Sequence, residues 1–405
     1  MGDRWGRNSR SDEGSQAAFQ ACSSRGDALP IGQIVAAVQS IDSLLEETVA
    51  CGASDLHVTV GAPPSVRVHG QLQPIEGGDP LDPETIRTIL YRILTTEQQK
   101  RLELDRQLDL SYGVPGLARF RINVFMQRDS LAAVFRVIPD KLKTLDELGL
   151  PDGIRGLTKL PRGLVLVTGP TGSGKSTTLA AMIDEINRTR SDHIITIEDP
   201  IEFLHRHKHC VVNQREIGTD ATSFATALRA ALRQDPDVIL LGEMRDLETI
   251  STALTAAETG HLVFGTLHTQ SASGTIDRMI DVFAAEQQEQ IRTQIAGSLQ
   301  GVVTQALMPT ADGQGRVPAI EILIPDDAIR NLIRQAKVEQ IYTYMQTGSR
   351  VGMQTMEQSL AELVQKAVIT TEQAVSRSSR RSELIGLIER TGAAAPPAGL
   401  RVAEG

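Results

Sequence analysis

Residues 169–176 read Gly-Pro-Thr-Gly-Ser-Gly-Lys-Ser, a phosphate-cradling loop with every required position filled. The apolar run Gly163–Thr168 before it reads as a buried parallel strand, and Thr177–Ile183 after it reads as a helix. Strand, glycine-rich loop and helix in that order commit this part of the chain to an α/β layered fold with an anion at a helix N-terminus. Gly169, Gly172 and Gly174 let the backbone turn tightly and aim N–H groups inward. Lys175 can reach the β- and γ-phosphates, and the Ser176 hydroxyl can ligate Mg²⁺. Pro170, Thr171, Ser173 and Thr177 complete the nucleotide-binding segment.

Three further apolar runs end in polar groups, as ligand-bearing strands of an open α/β sheet do at their carboxyl ends. Ile195-Thr196-Ile197 runs into Glu198-Asp199-Pro200-Ile201-Glu202. Glu198 is the leading candidate for orienting an attacking water. Val238-Ile239-Leu240-Leu241 is followed by Gly242 where an acid usually stands, so Glu243 is assigned to Mg²⁺ through a coordinated water. The division of labour between these two carboxylates stays open. His261 and His268 bracket the strand Leu262–Leu267, and His268, at the leaving end, is placed to sense a γ-phosphate. His261 is either structural or functional.

The rest of the chain frames this core. Residues 1–33, rich in Ser, Gly, Arg and Asp, are expected to be a disordered leader, and residues 391–405 a disordered tail. Helical spacing runs from Ile34 to Val49. Alternating runs follow at Asp55–Val60, Ser65–Gly70, Arg119–Phe125 and Ala132–Val137, with a helix expected over Pro83–Thr95. Residues 34–140 therefore read as a small α+β domain, with Ile138–Leu150 as linker and first helix of the next. In residues 141–325, strands are expected at Ile194–Ile197, Val238–Leu241 and Leu262–Gly265. Helices are expected over Asp220–Arg233, Leu247–Thr259 and Gln287–Leu307. Residues 326–390 read as helical.

Composition removes several function classes. Of 405 residues, 40% are apolar, enough for buried cores, and no apolar stretch approaches the roughly 20 residues of a membrane helix. The net charge of −9 and 3% aromatic content argue against a nucleic-acid partner. Three cysteines without a Cys-x-x-Cys pair argue against a structural zinc site and imply no disulfide framework. A cytoplasmic protein is expected.

The four motifs in this order resemble the secretion-type ATPases of type IV pili and type II secretion. The likeness is strongest to the pilus retraction ATPases and spans roughly residues 40–375. It rests on Gly52–His57, Arg162–Thr168, Gly242–Thr249, Ile276–Phe283 and Gly348–Leu363. Ala328-Ile329-Arg330-Asn331-Leu332-Ile333-Arg334 is similar to the C-terminal signature of that family, although Gln335-Ala336 replaces the usual acidic continuation and the leader looks like an addition. By helical spacing Ile329, Leu332 and Ile333 pack, while Arg330 and Arg334 share another face and stay available.

The resemblance implies a PAS-like N-terminal domain, a RecA-like P-loop core with a helical C-terminal extension, and a homohexameric ring with ATP between the domains. It implies arginine fingers, for which Arg121 and Arg136 are candidates and Arg119 a competitor, and a coupling role for Ala328–Arg334. The implied activity is Mg²⁺-dependent ATP hydrolysis that powers pilus retraction and twitching motility. The motor would act through an inner-membrane platform protein, and indirectly on the pilin fibre, at the cytoplasmic side of the pilus base. Four rivals carry other expectations. An assembly or secretion ATPase would bring a tetracysteine zinc insertion that this chain lacks, and an accessory retraction ATPase would share the chemistry. A nucleic-acid motor meets the wrong charge, and a non-catalytic scaffold would not need the full set Lys175, Ser176, Glu198, Glu243 and His268.

Overall fold

The computed structural model describes residues 40–68, 70–138 and 142–390. The expected leader and tail, and the first residues of the helical pattern from Ile34, lie outside them.

The N-terminal domain begins with helix α1 (Ile41–Ala50) and strands β1 (Asp55–Val58), β2 (Ser65–Val68) and β3 (Gln71–Pro74). Helices α2 (Pro83–Tyr91) and α3 (Thr96–Asp105) follow, then the antiparallel strands β4 (Gln107–Val114), β5 (Ala118–Gln127) and β6 (Ser130–Ile138). The helix expected over Pro83–Thr95 thus ends early, at Tyr91, and a second helix, not expected from the sequence, begins at Thr96. Thr95 and Gln98 form a reciprocal capping box that starts α3, so the chain leaves α2 at Tyr91. The six strands pair in the order β3-β2-β1-β6-β5-β4. Alternation puts Phe120, Ile122, Val124 and Phe135 on the face covered by Leu44, Leu45, Ile86 and Leu90, all fully buried. The opposite face is polar. One row across it runs Arg67, Asp55, Arg136, Arg121, Ser111, each residue directly opposite the next.

Residues 142–150 form turns, and the first helix of the second domain is α4 (Asp152–Thr158), later than the Ile138–Leu150 expected. Strands β7 (Gly163–Thr168), β8 (His193–Glu198), β9 (Val211–Glu216), β10 (Val238–Leu241) and β11 (Leu262–Leu267) are parallel. Helix α5 (Lys175–Thr189) follows β7, α6 (Phe224–Ala231) follows β9, α7 (Leu247–Glu258) follows β10, and α8 (Ala272–Asp281) and α9 (Gln288–Ser298) follow β11, while β8 runs to β9 without a helix. Every residue of β7, β10 and β11 is buried, because helices cover both faces of the sheet.

The helix expected over Gln287–Leu307 stops at Ser298 and becomes β12 (Leu299–Pro309). The Val302-Val303-Thr304 run is β-branched, and it pairs with β7 on one side and with β13 (Arg316–Leu323) on the other. A Cβ on Gly301 would stand 2.8 Å from Leu157, so the strand also needs that glycine to lie against α4. The seven strands run β13-β12-β7-β11-β10-β8-β9. The remainder is helical: α10 (Asp327–Arg334), α11 (Ile341–Thr347), α12 (Met356–Gln365), α13 (Thr371–Arg377) and α14 (Arg381–Arg390).

Candidate active site

Because β7, β8, β10 and β11 are parallel, their following loops gather along one edge of the sheet. The loop after β7 leads into α5. Gly169 has φ 138°, and a Cβ there would collide with the carbonyl oxygen of Gln305 and stand 2.7 Å from Ser173 Oγ. Gln305 in β12 also accepts from Thr178 Oγ1 at 2.7 Å, so β12 props the loop from below. Gln305 was hidden in the segment taken for helix. Ser173 Oγ is buried with no hydrogen-bond partner among the described residues, an orphan that a bound oxyanion would satisfy. Lys175 Nζ donates to Gly169 O at 2.8 Å and Pro170 O at 3.2 Å. Burial lowers the Lys175 pKa, and the charges of Glu243 and Glu202 oppose that fall.

Glu243 follows β10 at one residue's remove. A Cβ on Gly242 would come within 3.2 Å of Glu198 Cα and 3.3 Å of Ile197 O. The backbone of β8 therefore crowds any side chain at that position, and the acid stands one residue further on. Glu243 Oε1 is 2.5 Å from Arg245 Nε and 2.9 Å from His268 Nε2, and Oε2 accepts from Arg245 Nη2 at 2.6 Å. Burial alone would raise its pKa. Arg245, aided by His268, outweighs burial and holds it below the ordinary carboxylate value. An ionised carboxylate facing Lys175, with the Ser176 hydroxyl at the start of α5, suits a hard divalent cation that coordinates the phosphates.

Glu198 is held differently. Its Oε1 accepts from Thr196 Oγ1 at 2.7 Å and Gln214 Nε2 at 3.1 Å, and its Oε2 accepts weakly from Glu202 N at 3.4 Å. Burial pushes its pKa up, against those hydrogen bonds. A carboxylate biased towards accepting a proton has the character of a general base. Glu202, four residues on, is exposed and contributes to the field at Lys175, so this loop brings a second acid to the site. His268 is the partner of Glu243 at the leaving end of β11. His261, at the entering end, has Nδ1 2.9 Å from Ala256 O at the close of α7, a structural contact.

The arginines divide. Arg136 Nε donates to Asp55 Oδ1 at 2.9 Å while its side chain stays 68% exposed. Arg121, directly opposite Arg136, makes no side-chain hydrogen bond or ion pair among the described residues. Arg119 instead crosses to the second domain and reaches Glu216 at 3.3 Å. In α10, Ile329, Leu332 and Ile333 are buried. Arg330 is not available as expected: Nη1 donates to Ala296 O at 2.5 Å and Nη2 to Gln300 Oε1 at 3.3 Å. Ala296 lies in the last turn of α9, whose carbonyls lack helical donors, and that is where the guanidinium settles. Arg334 remains exposed.

Comparison with known proteins agrees with this geometry. Residues 33–392 match the family described as type II/IV secretion system protein. The chain is 54% identical over 334 residues to the type IV pilus retractation ATPase PilT of Pseudomonas aeruginosa, covering 82% of this chain and 96% of that protein. It is 51% identical over 320 residues to the twitching motility protein of Neisseria gonorrhoeae, covering 79% and 85% of the two. A crystal structure of the pilus retraction motor PilT with bound ADP superposes with a TM-score of 0.81 at 52% identity, covering 85% of this chain and 98% of that one. Among the described residues no helix is long and apolar enough to cross a membrane. A phosphate loop with its lysine, a carboxylate tied to a histidine and an acid on the neighbouring strand stand together at one edge of the sheet, and this chain belongs to the type II/IV secretion system protein family, among its PilT-type pilus retraction ATPases.

Proposed function

We propose that this chain is a Mg²⁺-dependent ATPase motor that works as a homohexameric ring and drives retraction of type IV pili. The observation that carries the reading is the 54% identity to PilT over nearly the whole of that protein. The ring would sit at the cytoplasmic side of the inner membrane, against a platform protein at the pilus base, and act on the pilin fibre through it. Retraction as the main or accessory motor shares the same chemistry.

The proposed roles follow from the site. The loop Gly169–Thr177 holds the phosphates, and Lys175 supplies charge to the β- and γ-oxygens. Ser176 and Glu243 fit Mg²⁺, which when bound supplies charge neutralisation across the phosphates. His268, bonded to Glu243 at 2.9 Å, reads whether a γ-phosphate is present. Glu198 orients and deprotonates the water, with Glu202 as its competitor on the same loop. Arg121 and Arg136 stand on the sheet face whose Ser111 and Arg119 touch the ATPase domain, and they act as fingers on charge that develops in the transition state. Ala328–Arg334 couples the cycle to the fibre, with Arg334 as the exposed member.

The decisive experiment is a chromosomal deletion complemented with the parent gene or with Lys175→Ala. The expected result is loss of twitching with excess surface pili, restored by the parent alone. Normal twitching in the deletion strain overturns the assignment, and loss of pili would make this an assembly motor. Arg121→Ala mixed with Lys175→Ala subunits should recover activity in hybrid rings if the finger acts across subunits. No recovery at any ratio confines it within the subunit.

A further inference from the structure

We infer that Glu216 is a positioning residue for hydrolysis, one that ties docking of the N-terminal domain to the placement of the acid loop Asp199–Glu202. Glu216 ends β9 directly opposite Glu198 at the end of β8. Its side chain is 3% exposed, although it stands at the junction of two domains.

Its partners come from both sides. From the N-terminal domain, Ser111 Oγ lies 2.8 Å from Oε1 and 2.9 Å from Oε2, and Arg119 Nη2 is 3.3 Å from Oε2. Arg119 Nη2 also donates to Ser111 Oγ at 2.5 Å, so serine and arginine act together. From the ATPase domain, Ile201 N donates to Oε2 at 3.1 Å and Thr219 Oγ1 to Oε1 at 3.3 Å. Ile201 belongs to the loop that carries Glu198 and Glu202. The same carboxylate oxygen, Oε2, therefore joins the arginine of one domain to the acid loop of the other.

A buried carboxylate is strongly unfavourable without its donors. If the N-terminal domain swings away, Glu216 loses Ser111 and Arg119 at once. Water then reaches the carboxylate and competes with its remaining donors, Ile201 N and Thr219 Oγ1, which loosens its hold on the acid loop. The acid loop then moves with the domain. Arg119 Nε, beside this junction, is buried with no acceptor among the described residues, so the docked arrangement is incompletely satisfied. In this scheme Arg119 is a latch within the subunit, and the finger role stays with Arg121 and Arg136.

The inference rests on the proposed role of the acid loop, so the tests separate the two. Steady-state ATPase kinetics, nucleotide binding and the distance between spin labels on the two domains are measured for full-length Ser111→Ala, Arg119→Ala, Glu216→Gln and the Arg119→Ala/Glu216→Gln pair. Each single change should lower kcat by about tenfold to a hundredfold, the scale of a small misplacement of a catalytic group, with KM for ATP and ADP affinity within about threefold. The pair should lose no more than the worse single change, and the label distances should broaden in all four. Ser111→Thr, which keeps the hydroxyl, should restore most of the turnover. The inference is overturned if Ser111→Ala and Arg119→Ala leave turnover and distances unchanged, or if the Arg119 and Glu216 losses multiply independently. Should Glu216→Gln not fold, the Ser111 and Arg119 arms decide alone. The acid-loop reading fails separately, if Glu198→Gln and Glu202→Gln both retain full turnover.

Discussion

Glu321 should make the stability of this protein depend on pH in a direction opposite to that of most carboxylates. It lies in β13 at 4% exposure, and its Oε1 accepts from Ala272 N at 2.6 Å, capping α8 just after the His268 loop. Burial, opposed by that bond and aided by the charge of the neighbouring Glu357, pushes its pKa from 4.5 up to about 7. The folded protein therefore keeps a proton that the unfolded chain has released. Stability from this group is fully present below about pH 4.5 and is lost as pH rises through 7. At 1.36 kcal/mol per pH unit the gap is worth about 3 kcal/mol. Glu321→Gln keeps the shape and an acceptor for Ala272 N, and it removes the titration. The measurement is urea unfolding of parent and variant from pH 4.5 to 8, at one protein concentration and without nucleotide. The variant should gain on the parent by about 3 kcal/mol across that range, on the order of 1 M in midpoint. Parallel curves would refute the raised proton affinity of Glu321, and a gain at low pH instead would reverse the sign of the reasoning.

Three other outcomes follow from the site. Glu243→Gln should weaken nucleotide binding when Mg²⁺ is limiting, and Glu198→Gln should not; the reverse pattern in a Mg²⁺ titration exchanges the two roles. Since burial raises the Glu198 pKa, the acid limb of the kcat profile should lie above the ordinary carboxylate range, with activity rising as pH rises through it. An acid limb unchanged by Glu202→Gln but removed with Glu198→Gln, read at residual turnover, assigns the base to Glu198. Arg330→Ala should destabilise the fold by about 1–3 kcal/mol, because a charged donor leaves Ala296 O and Gln300 Oε1. Arg334→Ala should leave folding and ATPase rate unchanged while twitching fails; equal thermal stability of the two variants would contradict this separation.

Elements governed by local period were legible. The phosphate loop, the strands around it and the packing face Ile329, Leu332 and Ile333 all follow from spacing a few residues long. What escaped is set at long range. Gln300–Leu307 carries no helix breaker except Gly301, and its strand identity comes from neighbours 136 residues away, where Thr168 and Thr304 hydroxyls meet at 3.0 Å. Arg330 looked free because the carbonyl it caps belongs to another helix. Gly242 was noticed as a missing acid, but its reason is the approach of Glu198 from the adjacent strand. The Ser111–Glu216 junction joins residues 105 apart in two domains, and no periodicity announces it.

The polar row of the N-terminal sheet is unevenly paired. Asp55 is a single carboxylate between Arg67, at 3.9 Å, and Arg136, at 2.9 Å. Arg136 in turn stands directly opposite Arg121, which pairs with no acid among the described residues. Like charges opposite each other on a sheet face oppose folding by a fraction of a kcal/mol. The Asp55 carboxyl is held ionised: burial would raise its pKa, yet the Ser54 hydroxyl and Arg136 hold it lowered. One more anion against Arg121 would relieve the row, and under the proposed finger role that anion is the nucleotide's polyphosphate. The same sheet sends Arg119 to Glu216 to fix its own ATPase domain. Two arginines two residues apart on β5 thus serve different ends, Arg119 a buried contact already made and Arg121 a charge still to be met.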